Sequence, residues 1–71
     1  MNHERIAELV RMVEADPPFF GVLSVGERCA VALVLDNIEL MRETYGSAVE
    51  CAARIDPLEL ASCLRVLRDR R

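Results

Sequence analysis

Lysine and tryptophan are absent from this chain, and its aromatics are only Phe19, Phe20 and Tyr45. An interior must therefore be built from Leu, Val, Ile, Ala, Met and Cys. With a single histidine, His3, no lysine, and no serine or cysteine beside that histidine in sequence, the usual acid–base and nucleophilic pairings are missing. No apolar run approaches the roughly 20 residues that cross a bilayer, so no membrane partner is expected. The N-terminal residues read as a mixed-charge amphipathic helix and not as a signal peptide, which gives a cytoplasmic expectation. Cys29, Cys51 and Cys63 are odd in number and lack a CxxC spacing. Neither a disulfide framework nor a zinc motif follows. They read as small buried hydrophobes of a reducing compartment; a metal site completed by His3 is the alternative. No cofactor motif is present.

What the chain does contain is apolar surface. Of its 71 residues, 52% are hydrophobic. The length fits a single domain over 1–71. A domain of this size buries only about 60% of its unfolded surface and often gains stability by oligomerising. Net charge is −3, a poor match to the clustered positive charge of non-specific nucleic-acid binders. The all-arginine basic set fits a GC-rich coding sequence, and it also fits planar, bidentate interface contacts.

Helical periodicity runs through the chain. Ile6, Leu9, Val10 and Val13 make a one-sided stripe on a helix over Asn2–Ala15, stopped by Asp16-Pro17-Pro18. Phe19-Phe20-Gly21 reads as a connecting loop. Ser24 and Glu27 have capping-box spacing and open a long helix to Thr44 or Tyr45, with Gly46 as its left-handed terminator. Ser47 and Glu50 start a short helix to Ile55. Asp56, Pro57 and Glu59 start the last one, with Leu60, Cys63, Leu64 and Leu67 on one face. The expected fold class is all-α, a small helical domain of three main helices plus one short helix.

The long second helix carries Cys29-Ala30-Val31-Ala32-Leu33-Val34-Leu35 and stays apolar over about 240° of its wheel, against the roughly 100° stripe a surface helix needs. A second surface is implied, and a homodimer through this helix, helped by the last one, is the expected supplier. Val31, Leu33, Val34, Asn37, Leu40 and Met41 are the expected seam. Asn37 falls inside the apolar arc, where a central amide can pair with its own copy and fix register.

For a protein partner the candidates are Phe20, Glu39, Arg42, Glu43 and Tyr45, a charged and aromatic-tipped edge of the kind interfaces use. Carboxylates spaced i, i+4 (Glu4 with Glu8, Glu39 with Glu43) read as solvated surface. A chain this short also leaves little room for a closed pocket of roughly 300 Å³, so no enzyme is expected. The alternative is a helix-turn-helix spanning Ala52–Ile55 and the last helix, with Arg65, Arg68, Arg70 and Arg71 as nucleic-acid contacts. Pro57, Leu58, Glu59 and Leu60 at the start of that helix are poor readers of base edges.

The run Leu23 to Asn37, with Tyr45, Glu50 and Arg54-Ile55, resembles small helical accessory proteins of Mu-like temperate phages. That resemblance implies a non-enzymatic inhibitor or regulator that binds a bacterial host protein, such as a transcriptional regulator, a pilus motor or a defence complex.

Overall fold

Asn2 starts the first helix: its Oδ1 accepts the Arg5 N–H at 2.8 Å, which satisfies one of the donors a helix start leaves open. The same device recurs at each later α-helix of the computed structural model, which describes residues 1–71. Ser24 and Glu27 form a reciprocal capping box, with Glu27 Oε1 accepting the Ser24 N–H at 2.9 Å and Ser24 Oγ accepting the Glu27 N–H at 3.3 Å. Asn37 Oδ1 accepts the Leu40 N–H. Ser47 Oγ accepts the Glu50 N–H, and Asp56 Oδ1 accepts the Glu59 N–H. The resulting elements are α1 (His3–Ala15), a 3-10 helix (Pro17–Val22), α2 (Val25–Leu35), α3 (Ile38–Thr44), α4 (Ala48–Arg54) and α5 (Pro57–Asp69). The fold is all-α.

Two expectations about the elements change. Phe19 and Phe20 lie in the 3-10 helix, not in an irregular loop. It is tied to α2 by Arg28, which donates to the Gly21 carbonyl at 2.7 Å and sits 6.0 Å over the Phe20 ring. The long second helix is two helices. Asp36 adopts a left-handed conformation, φ 52 and ψ 42. The Asp36 N–H then reaches the Leu33 carbonyl and the Asn37 N–H the Ala32 carbonyl, both at 3.2 Å, the hydrogen-bond pattern of a Schellman closure. Asn37 restarts the chain as the α3 cap. It is exposed and is not a buried seam amide.

The core is one cluster of 16 buried residues with no buried polar or charged residue. Ile6, Leu9, Val10 and Val13 are all in it, as their spacing implied. α2 sits at its centre and packs against α1, α3, α4 and α5. Cys29, Ala30, Val31, Ala32 and Val34 are consequently buried within the chain itself. Most of the wide apolar arc of α2 is thus covered by its own neighbours, and the arc by itself does not require a second chain; Leu33 and Leu35 stay half-buried. Val31 is closed off by intrachain packing, and Val34 is nearly so. Met41 is buried too, with its carbonyl 4.0 Å from Cys51 Sγ of α4. Small side chains at Cys29, Ala30 and Ala32 let the surrounding helices approach closely. Cys63 Sγ of α5 lies 3.9 Å from the Ala30 carbonyl.

Ion pairs set the direction of α5. The Met1 amino group is 3.7 Å from Glu59, at the starts of α1 and α5. Arg70 makes a two-pronged contact to Glu14, at 3.0 and 2.8 Å, at their ends. The two helices therefore run side by side in the same direction. The hydrogen bonds from Arg70, more than its charge, hold the Glu14 carboxyl below its ordinary range.

Two outcomes follow. Asp36→Gly is expected to unfold at an unchanged or higher urea midpoint by circular dichroism, whereas Asp36→Val loses about 1–2 kcal/mol because a β-branched residue resists the left-handed region. Glu14→Gln is expected to cost at most about 1 kcal/mol at neutral pH, since the pair is solvent-screened. A carboxyl whose folded pKa is depressed stabilises above the unfolded value of about 4.3 and loses that stabilisation as pH falls through the folded value. Urea titrations of wild type and Glu14→Gln should therefore start to converge below the unfolded value and meet only once the pH lies under the lowered folded value.

Candidate functional site

α5 is apolar on more sides than its neighbours cover. Asp56 caps it and Pro57, which lacks a donor, fills its first position without loss. Cys63 and Val66 point inward and are buried. Leu60 and Leu64, one turn apart, remain 43% and 44% exposed, and Leu58 is 81% exposed. Between the outer side of α5 and the end of α2 lies a groove of about 500 Å³, lined by Leu33, Val34, Pro57, Leu60, Ala61, Cys63, Leu64 and Leu67. Leu60, Leu64 and Leu67 fall at i, i+4 and i+7, so they form one continuous stripe. Beneath the stripe, Cys63 and Val66 seat α5 in the core, and ion pairs join its two ends to α1.

Charge along α5 is polarised. Its start carries Asp56 and Glu59, and its end carries Arg65, Arg68, Arg70 and Arg71. Arg70 is held by Glu14, and Arg65 lies 4.0 Å from Asp69. Arg68 and Arg71 are exposed and make no ion pair. The hydrogen bond from the Glu59 N–H holds the Asp56 carboxyl below its usual range, so it is anionic at neutral pH.

The expected seam is only partly assembled. Leu33 and Val34 stand on the wall of the groove, while Val31 and Met41 are inside the core. Leu40 lies in a separate cleft with Val13, Pro17, Leu35 and Asn37. The leucines that do face outward belong to α5, where the sequence placed Leu60 and Leu64 on the same buried face as Cys63. The signal was there: Leu58, Leu60, Ala61, Leu64 and Leu67, added to Cys63 and Val66, are too many apolar positions for a helix with one covered side.

Of the expected partner contacts, Phe20 is corrected. It is buried beneath Arg28 and serves packing. Glu39, Arg42 and Glu43 are exposed on α3, and Tyr45 stands 41% exposed at its end. No ion pair ties these four down. α4 and α5 follow one another as the helices of a helix-turn-helix would, but they do not pack on one another as a main pair of the fold. The exposed side of α5 presents leucines where base-reading side chains are needed, and Arg70 is already engaged.

Chemistry is sparse. No group of three His, Cys, Asp or Glu side chains is gathered to hold a metal ion. Burial pushes the Cys29 thiol up to about 11, assisted by the neighbouring Cys51. It pushes the Cys63 thiol up to about 11 as well. Thiols that stay protonated are poor nucleophiles. No helix is long and apolar enough to cross a membrane. Comparison with known protein families, with characterised proteins and with solved structures gives no match, so the functional reading rests on the groove and on the exposed edge of α3.

The thiols supply a check on this packing. Native protein is expected to react with an aromatic disulfide reagent at pH 8 at least about 100-fold more slowly than protein unfolded in urea, since reaction needs a deprotonated and exposed sulfur. Rapid labelling of any thiol in the native state would contradict the burial of Cys29, Cys51 and Cys63.

Proposed function

We propose that the protein is a non-enzymatic protein–protein interaction module that works as a homodimer. Its α2/α5 groove is closed by a second copy, and its α3 edge is offered to a bacterial host protein that it inhibits or regulates. The observation that carries this reading is the apolar stripe of Leu60, Leu64 and Leu67 on a helix locked at both ends. Such a stripe stays exposed to water in the monomer, and burying it is favourable by about 25 cal/mol per Å². Helix-in-groove docking is the recognition mode that fits it. A second copy suits the groove because α5 is self-complementary in charge, acidic at one end and basic at the other. A contiguous exposed apolar stripe of this kind marks an interaction surface, not a solvated one.

The host-protein assignment draws on the resemblance of Leu23–Asn37 to phage accessory proteins and on the open α3 edge. Glu39, Arg42 and Glu43 supply charges that steer approach, and Tyr45 supplies an amphipathic anchor. None of the four lines the α2/α5 groove, so dimer formation leaves them free.

Light scattering after size exclusion tests the module. Wild type is expected at twice the 8.0 kDa chain mass. Leu64→Glu places a charge in the stripe and is expected to return the single-chain mass with an unchanged helical circular dichroism spectrum, because Leu64 contributes little to the monomer core. A wild-type protein that runs as a single chain at about 500 μM, where even weak interfaces associate, sinks the homodimer reading.

A further inference from the structure

We infer that the two copies pair α5 against α5 in antiparallel orientation, about a two-fold axis level with Ser62, so that Leu60 meets the partner's Leu64 and Asp56 meets the partner's Arg68. This arrangement rests on the homodimer reading above and fixes what that reading leaves open, the direction and register of the contact.

Direction follows from charge. A parallel pair would stack Arg68 on the partner's Arg68, Arg71 on the partner's Arg71, and Asp56 on the partner's Asp56. Like charges set against each other at an interface disfavour that arrangement. The antiparallel pair opposes the basic end of each α5 to the acidic start of the other, and it also opposes the helix dipoles favourably. Glu59 is partly occupied by the Met1 amino group and Arg70 by Glu14. The groups left to meet across the axis are therefore Asp56 and the unpaired Arg68 and Arg71.

Register follows from spacing. When Asp56 is level with the partner's Arg68, the same offset brings Leu60 level with the partner's Leu64, and Pro57 level with the partner's Leu67. A single register thus brings the ionic and the apolar positions level together; Asp56 and Arg68 flank the leucine stripe on opposite sides, so the long Arg68 side chain reaches across the seam to the partner's Asp56. Leu33 and Val34 of α2 supply the outer wall of the groove in each copy. Ala61, the small residue on the exposed side, lets the two helices approach. The symmetry is isologous, so the contact closes on itself and does not propagate into a fibre.

Disulfide trapping reads the direction directly. Leu60→Cys, labelled with ¹⁵N, is mixed in equal amount with unlabelled Leu64→Cys and exposed to oxidised glutathione, and the linked species are sorted by intact mass. The mixed 60–64 product is expected to exceed either self-linked product by about 10-fold, because disulfides form only between Cα atoms within about 7 Å. Dominance of the self-linked products overturns the antiparallel pairing. So does the absence of linkage in a sample that light scattering finds dimeric, and in that case the groove-mediated dimer itself stands. A single-chain mass for wild type overturns both. Charge gives an independent reading that leaves the leucines untouched. Asp56→Asn keeps the cap acceptor, and with Arg68→Ala it forms a double-mutant cycle on the dimer dissociation constant. Each single change is expected to weaken the dimer about 3–10-fold, with the double variant no weaker than the weaker single one. Additive losses overturn the Asp56–Arg68 contact.

Discussion

Everything in this molecule is arranged around the burial of α2. Its residues Cys29 to Ala32, with Val34, are buried because α1, α3, α4 and α5 close around them. A helix in that position needs two properties at once. It must be apolar nearly all round, and it must be thin enough for four neighbours to reach it. Alanine and cysteine provide the second property where leucine would hold the neighbours apart. The scarcity of aromatics has the same origin, since large rings have no place between helices at this spacing. Phe19 and Phe20 are the exceptions; both lie at the margin in the 3-10 helix, with Phe20 under Arg28.

Once α2 is enclosed, surplus apolar surface moves outward to α5. That helix spends one side on α1 and α2 and has leucines left over. The ion pairs at its two ends are modest individually, as exposed pairs are, and their effect is directional more than energetic. They hold α5 alongside α1 so that Leu60, Leu64 and Leu67 form a straight edge beside Leu33 and Val34. The backbone that carries these leucines is held by the elements beneath, so the edge keeps its shape while the side chains on it stay half-exposed.

Much of this was legible from residues alone. The caps at Ser24, Ser47 and Asp56 mark real helix starts, and the Ile6, Leu9, Val10, Val13 stripe is the buried face of α1. These signals are local and need no knowledge of neighbours. The break at Asp36-Asn37 was not legible, because the hydrophobic period continues across it and neither glycine nor proline announces it. Asp and Asn both tolerate what the chain does there, one turning left-handed and the other capping. The deeper misreading concerns which helix has spare surface. A wide apolar arc says only that a helix needs several neighbours. Whether those neighbours come from the same chain depends on how many helices fold back upon it, and that is a tertiary property. The arc of α2 points to surplus there, whereas the exposed leucines lie on α5. The site inherited that displacement: Leu33 and Val34 kept their place on its wall, and Val31 and Met41 did not.

The contact between Glu14 and Arg70 joins residues 56 positions apart, and that between Ala30 and Cys63 joins residues 33 apart. Helical chains of this size usually assemble from neighbours in sequence and do so within microseconds to milliseconds. Here α5 closes over both α1 and α2, so part of the core depends on a non-local association, and loop closure precedes its reward. Folding of such a chain should be slower than its helical content alone suggests.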